Sequence, residues 1–352
     1  MSDTGAMSVP LFEDIATERL TIRPMRADDV EPLWERRNDP STAEFQNWTL
    51  PYARERAQQL VDEMVAHDGV APENGWFQLA VDDRVDGSPL GDVAIGLSFD
   101  GRCAEIGYTI DARARGRGIA SEAANAVITW LFDVGGVARV SAMMHPENLA
   151  SVRVAEQNGM LFEGHTRNSY WVGEVNSDDW IYGMTIDAWR AWRDRPRRPP
   201  ASVELVGVTA DNLADVRQLA THRSQERFVT PVAGTFADVY VAINDVEASI
   251  VPWLRAIVAD GDVVGCVLVR EPTAAQPNVH LWRVLVDRMH QRRGVGSRAV
   301  ALVIDHARSI GAPAVDLTYL EGPGSPEPLY RSHGFVPTGA FIDGETVAQR
   351  DL

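Results

Sequence analysis

Short stretches in which hydrophobic and polar residues alternate occur in both halves of the chain, and this pattern is typical of half-buried β-strands. In the first half, residues 77–81 alternate, a turn follows at Asp86-Gly87, and a second apolar stretch covers residues 91–99. In the second half, residues 256–269 repeat this arrangement around the turn Asp260-Gly261. The pattern therefore predicts an antiparallel β-hairpin in each half.

Each half then contains an apolar strand, a glycine-containing loop, an apolar helix and a further strand. The strands are predicted at residues 104–110 and 139–143 in the first half and at 280–286 and 314–319 in the second, with helices at 121–132 and 297–307. Strands on both sides of a helix favour parallel pairing within a mixed sheet. The predicted fold class is therefore α/β (α+β), with a central mixed sheet flanked by helices in each half.

The two glycine loops are the clearest sign of an internal duplication. Residues 115–120 read Arg-Gly-Arg-Gly-Ile-Ala and residues 291–296 read Gln-Arg-Arg-Gly-Val-Gly, so both fit Gln/Arg-x-x-Gly-x-Gly/Ala. They begin 176 residues apart, which is half of the 352-residue chain. Downstream, Asn158-Gly159-Met160 and His333-Gly334-Phe335 lie 175 residues apart. The nearly equal spacing predicts two copies of one fold.

The duplication also predicts the domain boundaries. We expect a flexible N-terminus at residues 1–14, an N-terminal domain at 15–194 and a C-terminal domain at 203–352. Residues 195–202 between the domains are rich in proline and arginine, and prolines end a helix and favour an extended linker. The arginines of this linker are either solvated or in contact with a phosphate.

Composition narrows the classes of function. The chain has 50 acidic and 33 basic residues and a formal charge of −17, which disfavours nucleic acid and favours cationic partners such as amines. Solubility alone is the other explanation for this charge. The two cysteines, Cys103 and Cys266, are too few for a disulfide scaffold or a cysteine zinc cluster. Because no membrane-spanning stretch or secretory signal is present in the sequence, we expect a cytoplasmic protein.

The glycine loops carry the predicted chemistry. Glycine lets the backbone turn tightly beside a ligand, and the helix that follows offers unpaired N–H groups and the positive end of its dipole. This combination favours a pyrophosphate group. The loops match neither a P-loop nor a dinucleotide-binding fingerprint, and the sequence contains no zincin, serine-hydrolase or metal-ligand motif. The alternative is a tight strand-to-helix turn that binds nothing.

These segments resemble the GNAT superfamily of N-acetyltransferases, in which this loop binds the pyrophosphate of acetyl-CoA. The first half is similar to the RimJ/RimL type, and the second half is similar to spermine/spermidine acetyltransferases. The resemblance rests on residues 17–24, 105–108, 115–123, 148–151 and 156–160 in the first half and on 225–229, 286–287, 290–296, 329–335, 338–339 and 344–345 in the second. It implies two tandem GNAT domains that use acetyl-CoA or another acyl-CoA.

The resemblance also implies a mechanism and a set of coenzyme-binding residues. The amine is expected to attack the thioester directly within a ternary complex. The implied coenzyme-binding residues are Arg115, Gly116, Arg117, Gly118, Ile119, Ala120 and Asn148 in the first half and Gln291, Arg292, Arg293, Gly294, Val295 and Gly296 in the second. Alternatively, the Asn148-x-x-Ser151 sequence is a helix cap.

Three residues are implied as catalytic. An amine with a pKa of about 10.4 is almost entirely protonated at pH 7, so transfer requires a base. Glu105, on the strand before the first loop, is the implied base, and the alternative is a structural carboxylate. Ser151 matches the position that protonates the leaving thiolate. Tyr330 matches the general acid of the second half, and the alternative is a tyrosine that only packs.

The general base of the second half stays open at this stage. His280 precedes the second loop, and a histidine titrates near neutrality, but a lone histidine on a strand is more often structural. Glu247 and Glu271 are further candidates. The second half also lacks the asparagine expected before the tyrosine helix, since residues 321–328 are rich in proline. Either both halves bind the coenzyme or one of them has lost catalysis.

The leading functional hypothesis is acetyl transfer to a primary amine of a small cationic metabolite, such as a polyamine or an aminoglycoside-like compound. The acidic composition and the second half's resemblance motivate it. A second hypothesis is N-terminal acetylation of a protein, which the first half's resemblance suggests. A third is an acyl-CoA-binding sensor or scaffold with one or both sites inactive. No nucleic-acid or membrane partner is expected, and no metal.

Overall fold

The computed structural model describes residues 11–69, 71, 75–244 and 250–352. Within these residues the chain forms two compact units, of which the first ends at Asp194 and the second begins at Arg195. Residues 1–10 of the predicted flexible N-terminus lie outside the described residues. Each unit contains its own mixed β-sheet, as the duplicated sequence pattern predicts.

The described part of the first unit forms an eight-stranded sheet flanked by six helices. The strands are β1 (Ile15–Ala16), β2 (Leu20–Pro24), β3 (Gly75–Asp83), β4 (Pro89–Ser98), β5 (Cys103–Ile110), β6 (Arg139–Met144), β7 (Leu161–Val172) and β8 (Val175–Thr185). The helices are α1 (Val30–Asn38), α2 (Pro40–Ala43), α3 (Arg54–Ala66), α4 (Ile119–Asp133), α5 (Leu149–Gln157) and α6 (Ile186–Asp194). The strand order is β1-β2-β3-β4-β5-β6-β8-β7, and β5 and β6 are its parallel neighbours.

Helix α4 is held against this sheet by an apolar face. Ile119, Ala123, Val127 and Leu131 recur every four residues, and all of them are buried. This spacing places them on one side of a helix. Each large apolar side chain contributes roughly 1.5–3 kcal/mol when it is buried. The packing therefore fixes the first turn of α4 at the end of β5.

The parallel pairing of β5 with β6 is short. It covers Cys103–Glu105 on β5 and Arg139–Ser141 on β6, and it ends at the pair Glu105–Ser141. Beyond this pair β5 continues to Ile110 beside β4. We call the parallel pair formed by the third residue of the second parallel strand the fork of a unit, which here is Glu105–Ser141. The fork leaves the second half of β5 open to a ligand on the side of β6.

The described part of the second unit repeats this plan with seven strands. The strands are β9 (Val203–Gly207), β10 (Val251–Ala259), β11 (Asp262–Glu271), β12 (Val279–Val286), β13 (Ala314–Tyr319), β14 (Val336–Ile342) and β15 (Glu345–Asp351). The helices are α7 (Leu213–Gln218), α8 (Val232–Asn244), α9 (Val295–Ser309) and α10 (Glu327–Ser332). The strand order is β14-β15-β13-β12-β11-β10-β9, with β12 and β13 parallel.

A β-bulge distinguishes the second unit's central strand from that of the first. On β12, Arg283 lies opposite Leu268, whereas Leu281 lies opposite Val269, so Trp282 is an extra residue. An extra residue shifts every position that precedes it in the strand. The bulge therefore lies between the second fork and the second glycine loop.

The predicted linker, residues 195–202, packs on the start of α9 within the second unit. The Arg293 Nε donates to the Arg198 carbonyl oxygen at 2.8 Å, and the Arg298 Nη1 donates to the Pro200 carbonyl oxygen at 2.6 Å. Pro200 is itself buried. The segment thus contributes backbone acceptors to the second unit.

None of the helices in the described residues combines the length and the apolar composition required to cross a membrane.

Candidate active sites

Both glycine loops end in a glycine that begins a long helix. Gly118 (φ +78°) precedes α4 and Gly294 (φ +80°) precedes α9, and the left-handed φ at both positions favours glycine. Neither helix receives a hydrogen bond from a capping side chain. A Cβ at Gly294 would meet no heavy atom within 4 Å. The first N–H groups of both helices are therefore available to an anion, and the loops fit a pyrophosphate.

The first residue of each loop anchors it to the strand before it. Arg115 Nε donates to the Ile110 carbonyl oxygen at 3.1 Å, and Gln291 Nε2 donates to the Val286 carbonyl oxygen at 3.0 Å. Both acceptors are the last residues of their strands. The same contact made by two different side chains explains why this position takes either arginine or glutamine.

The other predicted loop residues divide into anchors and exposed positions. Ile119 and Val295 are buried and hold the helices in the core. Gly116, Arg117 and Arg292 are exposed, whereas Ala120 and Gly296 are partly buried. Arg293 is only 7% exposed, and its side chain is bound to Arg198 and His290, so it holds the loop in place.

A second contact below the loop is conserved between the units and was not anticipated from the sequence. Asn158 Nδ2 donates to the Ser121 carbonyl oxygen at 3.3 Å in the first unit. In the second unit, the side chains of His333 and Ser297 are hydrogen-bonded at 2.8 Å. The Asn-Gly and His-Gly landmarks of the duplication thus brace the first turn of the helix that follows each glycine loop.

Glu105 lies at the fork of the first unit. It is half-buried, and among the described residues its carboxylate has neither a hydrogen bond nor an ion pair. Burial raises the pKa of Glu105, and the negative charge of Asp179 raises it further. Asp179 is 8% exposed and accepts a hydrogen bond from Ser169 Oγ at 3.1 Å. Two carboxylates without an arginine partner thus lie close together.

Tyr170 lies near these two carboxylates. The sequence indicated Glu105 but neither Asp179 nor Tyr170. The pKa of Tyr170 is raised by burial and by the charges of Asp179 and Glu105. Asp179 and Tyr170 are at least 65 residues from Glu105 in the chain, on the β7–β8 hairpin. Only the pairing of β6 with β8 brings them to the fork.

Ser151 and Asn148 form the N-terminus of α5. Asn148 Oδ1 accepts a hydrogen bond from the Ser151 backbone N–H at 3.1 Å, so Asn148 is the helix cap. The Tyr108 hydroxyl donates to the Ser151 carbonyl oxygen at 2.8 Å and connects α5 to β5 across the opening. The Ser151 hydroxyl and the Asn148 amide nitrogen have no hydrogen-bond partner in the described part of the chain.

Tyr330 lies on α10 in the second unit and lines a cavity of about 560 Å³. Gln291 and Gly296 of the second loop line the same cavity. Burial raises the pKa of Tyr330 to about 12, and the charge of Glu345 contributes. The hydroxyl is therefore a neutral proton donor at physiological pH. The structure thus brings the predicted acid and the predicted loop to one cavity.

His280 lines this cavity as well, and it has a carboxylate partner. Its Nδ1 is 2.5 Å from Asp316 Oδ1, and Asn278 Nδ2 donates to Asp316 Oδ2 at 3.2 Å. Burial acts to raise the pKa of Asp316, but the hydrogen bonds from His280 and Asn278 and the neighbouring positive charges lower it overall. Asp316 was not anticipated, because nothing in the sequence links it to His280.

The bulge decides which residue of the second unit matches Glu105. Counted back from the loops, the match to Glu105 is Leu281. The extra residue Trp282 moves the match to His280, which lies opposite Asp316 on β13 as Glu105 lies opposite Ser141 on β6. His280 thus occupies the place of the predicted base.

The remaining candidates for the second base lie elsewhere or cannot be placed. Glu271 Oε1 is 3.1 Å from His306 Nε2 and is not among the residues that line the cavity. Glu247 lies outside the described residues. Across the described ranges, no cluster of three or more histidine, cysteine or acidic residues could hold a metal ion.

Comparison with protein families gives a match in each half. Residues 19–161 match the Acetyltransferase (GNAT) domain, and residues 218–335 match the Acetyltransferase (GNAT) family. Together the matches cover more than half of the chain. Each match lies within one unit and contains the glycine loop of that unit. The coenzyme of this family is acetyl-CoA.

Individual relatives each align with a part of the chain. The uncharacterized N-acetyltransferase p20 of Bacillus licheniformis is 27% identical over 159 residues, 45% of this chain and 87% of that protein. The ribosomal-protein-serine acetyltransferase of Escherichia coli (strain K12) is 31% identical over 87 residues, 25% of this chain and 49% of that protein. The solved structure of RimL, a ribosomal L7/L12 alpha-N-protein acetyltransferase in complex with coenzyme A, is 21% identical, with a TM-score of 0.45, and the match covers 50% of this chain and 99% of that one.

The family matches agree with the fold and the loops of both units. The similarity of the second half to spermine/spermidine acetyltransferases stays a prediction, as do the residue roles. The chain belongs to the GNAT acetyltransferase family, with one family domain in each half, and is an acetyl-CoA-dependent N-acetyltransferase.

Proposed function

We propose that this transferase acetylates a primary amine of a small cationic metabolite, such as a polyamine or an aminoglycoside-like compound, in the first unit. The observation that carries the proposal is the pair Glu105 and Asp179 at the fork. Neither carboxylate has an ion-pair partner within the described residues, and the charge of one raises the pKa of the other. A cationic amine is the partner that such a pair favours.

Backbone groups would hold the coenzyme in both units. The N–H groups of the loops at residues 115–120 and 291–296, together with the Asn148 amide, are suited to its phosphates and arm. When bound, acetyl-CoA supplies an acetyl group activated as a thioester. Arg115, Gln291 and Arg293 keep the loops in shape through the contacts described above.

Glu105 would remove the proton of the amine. At a pKa of about 10.4, deprotonation at pH 7 costs roughly 4–5 kcal/mol, and a base near the amine offsets this cost. Because burial and Asp179 raise the pKa of Glu105, the carboxylate is a better proton acceptor than an exposed glutamate. The amine then forms the new bond to the acetyl carbon.

Proton donors would complete the transfer on the thiol side. The Ser151 hydroxyl at the start of α5 would donate a proton to the leaving thiolate in the first unit. The neutral hydroxyl of Tyr330 would do the same in the second unit. Both side chains lie on the helix that follows the second of the parallel strands.

The relatives favour a second candidate, which is acetylation of the N-terminal α-amino group of a protein. The Escherichia coli relative named above acts, by its name, on a serine of a ribosomal protein. An α-amino group is also a primary amine, and the carboxylates at the first fork would accept it. The two candidates differ in the size of the acceptor.

The test is release of thiol from acetyl-CoA by the G294D variant, in which the negative charge obstructs the second loop. We expect turnover with 1,5-diaminopentane or spermidine and none with a peptide that has a free N-terminal serine and no lysine. E105Q should lose this turnover, and E105D should retain part of it. Turnover of the peptide alone would favour the second candidate, and an absence of turnover with either would favour an acyl-CoA sensor.

A further inference from the structure

The two forks carry different side chains at three matching positions. The positions match because they have the same neighbours in the two sheets. The first position is the fork residue of the central strand, and the second lies opposite it on the preceding antiparallel strand. The third lies on the strand that pairs with the second parallel strand, one residue before the partner of that strand's last residue. They are Glu105, Gly96 and Asp179 in the first unit and His280, Arg270 and Glu345 in the second.

The second fork therefore holds an imidazole whose orientation is set by Asp316. Because its pKa is lowered, Asp316 is ionised at neutral pH and can only accept, so the proton lies on His280 Nδ1. A neutral imidazole then has its lone pair on Nε2, which has no hydrogen-bond partner within the described residues. This is the arrangement required of a general base.

The cavity of the second unit brings this imidazole to the rest of the transfer machinery. His280, Tyr330 and Gly296 all line the same space of about 560 Å³. It therefore contains the imidazole, a neutral phenol and the first turn of the anion-binding helix. In the first unit, the corresponding roles are proposed for Glu105, Ser151 and the first glycine loop.

Arg270 gives this cavity a positive charge that the first fork lacks. It lies directly opposite His280 on the neighbouring antiparallel strand, so both side chains project from the same face. Arg270 lines the cavity and forms no hydrogen bond or ion pair with any residue that the structure describes, and its positive charge helps to lower the pKa of Asp316. At the matching position of the first unit, Gly96 is covered by Trp76. A guanidinium in this place favours a carboxylate or a phosphate.

We propose that the second unit is a separate transfer site, in which His280, positioned by Asp316, deprotonates an amine that also carries an anionic group bound by Arg270. The proposal rests on the N-acetyl transfer established for the family and not on the acceptor proposed for the first unit. His280 Nε2 takes one proton from the ammonium group and passes it to solvent. The free amine nitrogen then bonds to the acetyl carbon as the carbon–sulfur bond breaks, and its next proton passes to His280 Nε2. The thiolate takes the Tyr330 proton, solvent reprotonates Tyr330, and His280 releases its proton to solvent.

The acceptor class is tested with two amines that differ by one carboxylate, lysine and 1,5-diaminopentane, in the G118D variant, whose first loop is obstructed. We expect turnover of lysine with a kcat/KM at least tenfold above that of the diamine. R270Q should reduce this preference by roughly 10–100-fold, since a charge-assisted bidentate contact is lost. A preference for the diamine, or one that R270Q leaves unchanged, would overturn the acceptor class.

The base is tested in the same G118D background with H280Q, H280E and D316N. H280Q should lower kcat by about 100-fold or more. H280E should recover part of it with the acid limb of the pH–rate profile moved to lower pH, because carboxylates titrate below imidazoles. D316N should lower kcat by about tenfold, because the imidazole loses the hydrogen-bond partner that orients it. The other charged residues that line this cavity are retained in these variants: Arg270, Arg283, Asp343 and Glu345.

Calorimetry provides a readout that does not depend on turnover. H280Q and D316N should bind acetyl-CoA at the second loop with unchanged affinity. Loss of binding in both would indicate a structural role and overturn the base. A third outcome is that the G118D protein acetylates neither lysine nor the diamine while the G294D protein remains active. This result would overturn the second site and leave the proposed function intact.

Discussion

The glycine loops of the two units have the same geometry, whereas the forks carry different side chains. Gly118 and Gly294 have the same left-handed backbone, and the residues that anchor the loops bond the same strand-end carbonyl. At the fork, Glu105 of the first unit is replaced by His280 with Asp316 behind it. In the proposed function, the shared loop binds the coenzyme and the divergent fork faces the acceptor. The comparison therefore separates the residues proposed for one substrate from those proposed for the other.

The largest effect is expected from a negative charge in the shared loop. Asp at position 118 or 294 can cap its helix and use the N–H groups that a phosphate needs. We expect each variant to weaken acetyl-CoA binding in its own unit by ~100-fold, so that titration calorimetry reports one site fewer. G118N and G294N are matched controls for the charge, because asparagine tolerates the left-handed backbone and can also cap the helix, but it is neutral. Two sites of unchanged affinity in G118D would remove the first loop from the coenzyme site.

The next largest effect concerns the proton donor to the leaving thiolate, for which we propose Ser151 in the first unit and Tyr330 in the second. Y330F removes the neutral hydroxyl of the second unit but keeps the ring that packs against Tyr319 and Phe335. With G118D as background, we expect kcat to fall by about 100-fold while the affinity for acetyl-CoA is retained. Y319F is the control, since Tyr319 borders the same cavity without an assigned role. Equal rates for Y330F and its parent would make Tyr330 a packing residue.

The sequence separation between contacting residues decides which parts of the candidate sites could be predicted. The loops and the Asn148 cap were predicted because each depends on residues within a few positions of one another. Asp179, Asp316 and Arg270 were missed because strand pairing alone places them at the forks. These pairings join residues far apart in the chain, and neither charge nor spacing in the sequence indicates them.

The match between Glu105 and His280 was missed for a different reason. Alignment of the two halves by their loops assumes that both central strands have the same length. The extra residue Trp282 breaks this assumption by one position, which exchanges the buried Leu281 for the half-buried His280. A shift of one residue in a strand moves a side chain to the other face. The pairing register, and not the sequence offset, therefore places His280, the proposed second base, at the position of Glu105.

A smaller effect is expected from the carboxylate beside the first base. In the proposed function, activity of the first unit requires ionised Glu105, so we expect the rate to fall as the pH drops through its raised pKa. D179N removes a negative charge that raises this pKa, so the acid limb of the G294D profile should move to lower pH. S169A, which removes only the hydroxyl that bonds Asp179, is the control and should move the limb less. An acid limb that stays in place or moves upward in D179N would separate Asp179 from Glu105.

The smallest effect concerns stability and separates catalytic from structural carboxylates. Because the folded protein raises the pKa of Glu105, folding is disfavoured once the pH is high enough to ionise it. Below the ordinary pKa of a glutamate, the residue is protonated in both states and the penalty vanishes. E105Q should therefore unfold at a higher temperature than the parent at pH 8, by roughly 1–3 °C, and at nearly the same temperature at pH 4. A structural Glu105 that stabilised the fold as a carboxylate would give the opposite result, with E105Q less stable at pH 8, so thermal unfolding at the two pH values decides between the two roles.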